Sequence, residues 1–366
     1  MKKGKNLIIF MPFIGIGGVE KNLFIISNYL IKKVKSLSIC TSSNKYKKKF
    51  DRKIRFISPQ KKKFDNSNIR IKYILCLFLL LKLFLRNRNF TVISFQANIY
   101  CILLCKLFNV QIIVRSNSSP SGWYHNNFKK FIYKKIISLA DEVIVNSDDF
   151  KQEMEKKFNI KVTCIFNPLN VSEIKKRASL IYKDNFFKKK YLKIINIGRL
   201  TYQKDQITIL KAINKLKDRI KIQLIIMGRG VEKDNLLKFI KENNLKKMVQ
   251  IKYPSNNVYS YLKSSDLFVL SSKYEGLPNV LLEAATLKKF IISSDCPTGP
   301  REILKNGNAG LLFKVGDIND LAKKILFFHK NKKKLKNKTN VLYQSLSKYD
   351  YKQNLEKYWK VVKKYI

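Results

Sequence analysis

The stretch Leu267-Phe268-Val269-Leu270-Ser271-Ser272-Lys273-Tyr274-Glu275-Gly276-Leu277-Pro278-Asn279-Val280-Leu281-Leu282-Glu283-Ala284 decides the fold. Leu267 to Leu270 is a short apolar run of the kind that forms a buried parallel strand, and Val280 to Leu287 contains no helix breaker. A Gly/Pro turn joins them, which puts Glu275 at a strand's carboxyl end, the edge where open α/β sheets bind ligands. Pro278 suits the first position of a helix whose free N–H groups attract anions, and Gly276 lets a ligand approach the backbone. Glu283 follows about a turn and a half into that helix at ~3.6 residues per turn, so it addresses a different part of the same ligand. Taken singly, either Glu also fits a plain solvated carboxylate. Together, two acceptor-only groups suit two sets of hydroxyls, and the string reads as a sugar-nucleotide site.

Upstream, Ile194-Ile195-Asn196-Ile197-Gly198-Arg199-Leu200 and then Gln203-Lys204-Asp205 read as a strand, a glycine turn and two cations. Fixed Arg and Lys groups in a partly dry site stabilise the negative charge that builds on a departing diphosphate, without a metal. With 75 of 366 residues Lys or Arg, a cation beside a turn is also common by composition alone. Leu224 to Met227 followed by Gly228-Arg229-Gly230 repeats the strand-to-glycine pattern. At the start of the chain, Leu7 to Met11 is an apolar strand, Gly15-Ile16-Gly17-Gly18 a turn, and Val19 to Ile31 a helix with one apolar face, together a Rossmann-like opening unit. The third glycine of G-x-G-x-x-G is missing and no acidic residue follows the next strand at a suitable distance, so NAD is disfavoured and no cofactor is expected.

Alternating strands and helices run from Leu7 to about Phe166, where Asn167-Pro168-Leu169 ends the half. Lysine-rich residues 172–190 read as a linker, and a second alternating series runs from Leu192 to near Lys330. This layout predicts an α/β chain of two doubly wound domains facing across a cleft. The tail around Tyr358-Trp359-Lys360-Val361-Val362 carries the apolar residues of a terminal helix that docks. Tyr73 to Leu81, extended past Lys82 to Leu85, is too short for a bilayer, which takes ~20 apolar residues, and reads as a core crossover helix before the strand Phe90 to Phe95. Pro12 and the glycine loop interrupt the first apolar stretch, which is not the layout of a signal peptide.

A hydrophobic content of 45% with 12% aromatics belongs to a globular chain. The six cysteines fall mostly inside apolar runs, which points to core packing in a reduced, cytoplasmic compartment. Cys101 and Cys105 lie one helical turn apart, but no second ligand pair accompanies them and the chain has only two histidines, so no metal site is expected. The net charge is +50. Lys, Ile, Asn, Phe and Tyr are abundant together, as AT-rich codons produce, yet each well-placed cation near anionic lipid still contributes roughly 1 kcal/mol. Lys45 to Lys53, Lys61 to Lys63 and Lys129 to Lys135, interleaved with Phe and Tyr, read either as peripheral contacts to an inner membrane leaflet or as a solvated face. A nucleic-acid or polyanion binder is the alternative, supported by charge alone. The cations are spread through the chain and no helix-turn-helix or RNA-binding aromatic signature stands out, so no nucleic-acid partner is expected.

The Glu275-to-Glu283 string resembles the E-x7-E signature of the retaining glycosyltransferases of family 4, which have the two-domain GT-B fold. Ser265 to Ser272 is similar to the strand before that signature, Asp295 to Ile303 to the segment after the next strand, and Gly307 to Phe313 to the closing element, so the likeness covers most of the chain. The resemblance implies an acceptor-binding domain over 1–175, a nucleotide-sugar-binding domain over 190–345, and a helix over 346–366 crossing back to the first. It implies that Glu275 contacts the transferred sugar and Glu283 the ribose, with the backbone of Gly276, Leu277, Pro278 and Asn279 along the donor. Arg199 and Lys204 would hold the diphosphate, and Gly228 would lie near the nucleotide. Gly17 and Gly18 would touch donor phosphate or acceptor, while Glu20 either serves the acceptor or complements its helix dipole. Many members carry a His after the strand matching Gln111 to Val114, where this chain has Arg115-Ser116-Asn117. Asn117 or Arg115 can offer a hydrogen bond there, though neither shuttles a proton at neutral pH, and His125 reads as a surface-loop residue. The reaction implied is metal-independent, retaining transfer from a nucleotide sugar, UDP-linked, to a lipid-linked glycan at the inner membrane face, in assembly of lipopolysaccharide, O-antigen or capsule.

Overall fold

The computed structural model describes residues 6–15, 17–59, 64, 67–117, 126–180, 185–254 and 257–366. Its contacts divide the chain into one unit of residues 1–168 with 352–366, and another of residues 169–351.

In the first unit the apolar runs become β1 (Asn6–Phe10), β2 (Leu37–Cys40), β3 (Arg55–Ile57), β4 (Phe90–Ser94), β5 (Gln111–Arg115), β6 (Glu142–Val145) and β7 (Thr163–Cys164). They form a seven-stranded parallel sheet ordered β3-β2-β1-β4-β5-β6-β7. Leu7 to Phe10, Thr91 to Ser94 and Ile112 to Arg115 are buried without alternation, as expected for strands covered by helices on both sides. α1 (Gly18–Leu30) buries Leu23, Ile26 and Leu30, a three-to-four residue spacing. α2 (Ile69–Arg86) crosses from β3 to β4 and buries Lys72, Cys76, Leu80 and Phe84. The predicted crossover helix therefore exists, but only one stripe of it enters the core, and Ile74, Phe78 and Leu85 stay exposed. α3 (Asn98–Leu107), α4 (Asn127–Ile137) and α5 (Asp148–Phe158) pack into the same core through Cys101, Cys105, Ile137, Phe150 and Phe158. Side chains cap the starts of α4 and α5: Asn126 Oδ1 accepts the Lys129 N–H at 2.9 Å and Ser147 Oγ that of Phe150 at 3.2 Å, caps that typically contribute ~1 kcal/mol each.

The second unit opens earlier than the sequence predicts. Residues 171–178, read above as the end of the first domain and the start of a linker, form α6 (Val171–Ala178), capped by Asn170 and burying Ile174 and Ala178. Ile174 and Ala178 are the apolar positions of an otherwise cationic turn-and-a-half, which is why composition alone reads it as linker. Residues 181–184 lie outside the described residues. Then follow β8 (Leu192–Ile197), α7 (Gln206–Leu216), β9 (Ile222–Met227), α8 (Lys233–Glu242), β10 (Val249–Lys252), α9 (Val258–Ser264), β11 (Leu267–Leu270), α10 (Asn279–Thr286), β12 (Phe290–Ser294), α11 (Pro300–Ile303), β13 (Leu311–Phe313), α12 (Ile318–Asn331) and α13 (Lys336–Gln344). The six strands make a parallel sheet ordered β10-β9-β8-β11-β12-β13, and Phe290 stacks on Phe328 of α12 with ring centroids 4.7 Å apart.

The tail leaves the second unit where the Leu169 N–H donates to Tyr349 O at 2.9 Å. α14 (Tyr351–Val362) belongs to the first unit from Lys352 onward, with Leu355, Tyr358, Val361 and Val362 buried. Within it, Glu356 accepts from the Tyr29 hydroxyl, and beyond it Thr91 Oγ1 of β4 donates to Tyr365 O at 2.5 Å.

Candidate active site

In each sheet the strand order reverses between two neighbours, β1 and β4 in the first unit and β8 and β11 in the second. The crevice outside the carboxyl ends at such a reversal is where open α/β sheets bind ligands.

At the β8/β11 reversal, the segment after β8 lies across the segment after β11. Ser271 Oγ donates to Lys204 O, the Lys273 N–H to Gln203 O and Gln203 Nε2 to Tyr274 O, each at 2.8 Å. The Lys273 ammonium lies 3.4 Å from the centroid of the Tyr202 ring. These ties bring Lys204 to Glu275: Lys204 Nζ donates to Glu275 Oε1, which also accepts from Ser272 Oγ at 2.6 Å. Both side chains are largely removed from water, at 15% and 8% exposure, so each charge depends on the other. Arg199 stands exposed at the head of the segment, and its Nη2 donates to Gln203 Oε1 at 3.3 Å. Glu283 is buried rather than solvated, and its Oε1 accepts from the Tyr259 hydroxyl of α9 at 3.4 Å. The Arg177 guanidinium of α6 lies 5.0 Å from the centroid of that tyrosine ring.

Two details of the turn differ from the sequence reading or extend it. Pro278 holds an extended backbone (φ −72°, ψ 102°) as the N-cap, and α10 begins at Asn279 rather than at the proline. Gly276 and Leu277 are buried under the loop that follows β12: a Cβ at Gly299, where φ is +77°, would stand 1.9 Å from Gly276 O. Thr298 Oγ1 in that loop donates to Glu275 O at 2.7 Å. Gly228, beyond β9, meets the turn after β8 just as closely, since a Cβ there would lie 1.9 Å from Gly198 O. Burial, and then the neighbouring Glu275 charge, push the Cys296 thiol up to about 12, so this cysteine stays protonated and inert. No group of three or more His, Cys, Asp or Glu that could hold a metal forms among the described residues. Chemically, the cluster offers cations for an anion and buried carboxylates for hydroxyls.

Comparison with known proteins accounts for this arrangement. The profile of the family Glycosyl transferases group 1 matches residues 179–343. An N-acetylgalactosamine-N,N'-diacetylbacillosaminyl-diphospho-undecaprenol 4-alpha-N-acetylgalactosaminyltransferase of Campylobacter jejuni is 30% identical over 264 residues, covering 68% of this chain and 70% of that one. The chain belongs to the group 1 glycosyl transferases. Amylovoran biosynthesis glycosyltransferase AmsD of Erwinia amylovora is 33% identical over 58% of this chain and 59% of its own length. Among solved structures, Anabaena HepE in complex with UDP superposes with a TM-score of 0.79 at 13% identity, covering 98% of this chain and 100% of that one. A glycosyltransferase of Rickettsia africae does so at 0.78 and 18%, covering 99% of each. Both likenesses show the fold, which is GT-B.

In the transferase's first unit, the loop after β1 is tied to the end of β4 at the reversal point, where the Phe13 N–H donates to Gln96 Oε1 at 3.1 Å. Gly17 and Gly18 are exposed at the start of α1, and Ile16 between the loop glycines lies outside the described residues. Glu20 folds back on the loop and its Oε1 accepts the Gly15 N–H at 3.3 Å, so this carboxylate has a structural task. Arg115 does not face a ligand as an alternative to the missing His. It is fully buried, Nε donates to the Tyr358 hydroxyl at 2.8 Å, Nη2 to Asn167 Oδ1 at 2.7 Å, and the guanidinium lies 5.2 Å from the Phe95 ring centroid. Asn117 commits its Nδ2 to Phe95 O at 2.9 Å and keeps a buried Oδ1 without a partner among the described residues. His125 and Lys61 to Lys63 lie outside the described residues. Sequence reasoning missed Ser272, Thr298, Tyr259 and Arg177 as supports of the two glutamates. The first two lie inside motif strings already singled out, whereas nothing local marks the other two.

Proposed function

We propose that this glycosyltransferase is a family 4 enzyme that moves a sugar from a UDP-linked donor, with retention of configuration, to a lipid-linked glycan in surface polysaccharide assembly, working peripherally at the inner face of the plasma membrane. The observation that carries the reading is the Lys204–Glu275–Ser272 cluster beside exposed Arg199 at the β8/β11 reversal. The donor diphosphate takes Arg199 and Lys204, whose charges stabilise it as it leaves. Drawing Lys204 toward phosphate frees Glu275 to accept from hydroxyls of the transferred sugar. Glu283, held by Tyr259, takes the ribose hydroxyls, the backbone of Gly276 to Asn279 lies along the donor, and Gly228 lies near the nucleotide. The second unit is thus the donor domain, and the first, with Gly17, Gly18 and Asn117, the acceptor domain.

Transfer breaks the bond between the anomeric carbon and the diphosphate oxygen and forms one to the acceptor oxygen on the same face. The acceptor's proton passes to the leaving diphosphate, so no side-chain base is required, in keeping with Asn117 where relatives of the family have His. The C. jejuni relative, by its name, acts on a diphospho-undecaprenol acceptor, AmsD serves amylovoran biosynthesis, and HepE was solved with UDP; these support the acceptor class and the base.

A melting-temperature screen of nucleotide sugars tests the donor, because a ligand at 100 times its Kd stabilises by about 2.7 kcal/mol. A UDP-sugar is expected to stabilise the chain, and NMR of the product is expected to show the donor's anomeric configuration. Stabilisation by no nucleotide sugar, or an inverted product, contradicts the reading.

A further inference from the structure

Residues 66–140 contain eleven Lys or Arg and no Asp or Glu, although the whole chain has 25 acidic residues; of the eleven, Lys72 and Arg115 are buried and Lys106 pairs with Asp141 just beyond the stretch at 2.8 Å. This stretch supplies α2, α3 and α4, neighbours packed into one core on one side of the first unit's sheet. Their outward side is not polar. Ile74 and Phe78 on α2, Leu103 and Leu107 on α3, and Phe128 and Phe131 on α4 are all exposed, Leu107 by 78% and Phe128 by 71%. Single exposed apolar residues are ordinary, whereas three adjacent helices that each present them build a patch with a partner. Cations are set among these rings: Lys82 Nζ lies 4.6 Å from the Phe78 ring centroid and Lys135 Nζ 5.6 Å from that of Phe131, with Arg86 and Lys129 exposed beside them. Such stems lie along apolar surface while their heads remain free for an anion.

We infer that the outward face of α2, α3 and α4 is the surface by which the chain docks on an anionic bilayer. The occupant follows from charge complementarity: three helices that present apolar side chains and exposed cations and contain no acid of their own match the boundary between acyl chains and negative headgroups. No described helix is long and apolar enough to cross a membrane, so the helices lie along it. The inference names the contact surface for the peripheral location proposed above and rests on that reading only for its purpose. It moves the contact away from Lys45 to Lys53, since Phe50 there packs on Phe24 of α1, which belongs to a different face of the unit.

The test is co-sedimentation of the full chain with vesicles of phosphatidylglycerol and phosphatidylethanolamine, and with phosphatidylcholine alone. One variant removes apolar contacts (Ile74→Ser, Phe78→Ser, Leu107→Ser), one reverses charges on the face (Lys82→Glu, Lys129→Glu, Lys135→Glu), and a control makes the same charge change elsewhere (Lys45→Glu, Lys47→Glu, Lys48→Glu). Unchanged melting temperature and unchanged hydrolysis of the nucleotide-sugar donor in vesicle-free solution verify folding of each. Both face variants are expected to bind anionic vesicles at least tenfold more weakly, with the control within threefold of the parent. Equal loss in the control, or full binding by the apolar variant, overturns the surface in favour of non-specific attraction. Duplex DNA that binds the parent more tightly than the vesicles and is equally sensitive to the face variants overturns it in favour of a nucleic-acid face. Vesicle binding through this face without transfer from a UDP-sugar to a lipid-linked glycan would leave the surface standing and count against the proposed donor and acceptor instead.

Discussion

Lys204 and Glu275 neutralise each other with Ser272 donating to the same carboxylate oxygen, so neither charge is available until a ligand replaces its partner. In the proposed function a diphosphate supplies the anion for Lys204 and a sugar hydroxyl the donor for Glu275, which would couple recognition of the two ends of the leaving bond. Lys204→Ala removes a charge-assisted contact that is typically worth ~1.5–3 kcal/mol, so calorimetry is expected to show UDP binding weakened by roughly 10- to 100-fold. Unchanged UDP affinity would return Lys204 to the status of a structural ion pair. Cys296 offers a check on the burial of the same corner. Its thiol ionises near 9.0 in an ordinary setting and at about 12 here. The unfolded chain therefore loses that proton first as pH rises: stability from this group is complete below pH 9.0 and is lost progressively toward pH 12. In the native protein at pH 8, iodoacetamide is expected to leave Cys296 unmodified while labelling it after unfolding. Rapid native labelling would mean that the loop after β12 opens.

At the scale of elements, turns are held against turns where only glycine fits. Gly228→Ala drives a Cβ into Gly198 O and Gly299→Ala one into Gly276 O at a left-handed φ. Each is expected to cost ~1–3 kcal/mol in urea unfolding, with loss of donor binding beyond the stability change, because the turns themselves move. Stability like the parent's would mean that the turns repack cheaply. In the first unit, Arg115 joins β5 to α14 through a hydroxyl 243 residues away in sequence. Arg115→Ala leaves a cavity and strands Tyr358 and Asn167, an expected cost of ~2–4 kcal/mol. Amide exchange in α14 is expected to accelerate while UDP affinity holds; unchanged exchange contradicts the tether. These elements also show what the sequence could convey. The string from Leu267 to Ala284 was legible because strand, turn and helix signals are local and each agreed with the next. The outward face of α2 was not, because a helix apolar all round gives no sign of which stripe the core takes. Nor was the burial of Arg115, which depends on a helix at the other end of the chain, or the hold of Tyr259 on Glu283, which depends on packing between α9 and α10.

At the scale of the molecule, two parallel sheets each reverse strand order, and Arg199, Lys204 and Glu275 collect at the reversal in the second unit. Family membership and fold follow from the comparisons. The proposed roles of individual residues rest on the cluster at the second reversal, and the claim that joins them is that Glu275 acts on the transferred sugar rather than merely pairing with Lys204. The direct measurement is turnover of Glu275→Ala with a UDP-sugar donor and a lipid-diphosphate-linked glycan acceptor, alongside its melting temperature and UDP affinity. The account predicts a folded protein that still binds UDP and transfers at least ~100-fold more slowly, the size of effect seen when a transition-state contact is removed. Transfer at the parent's rate by that folded variant would contradict it.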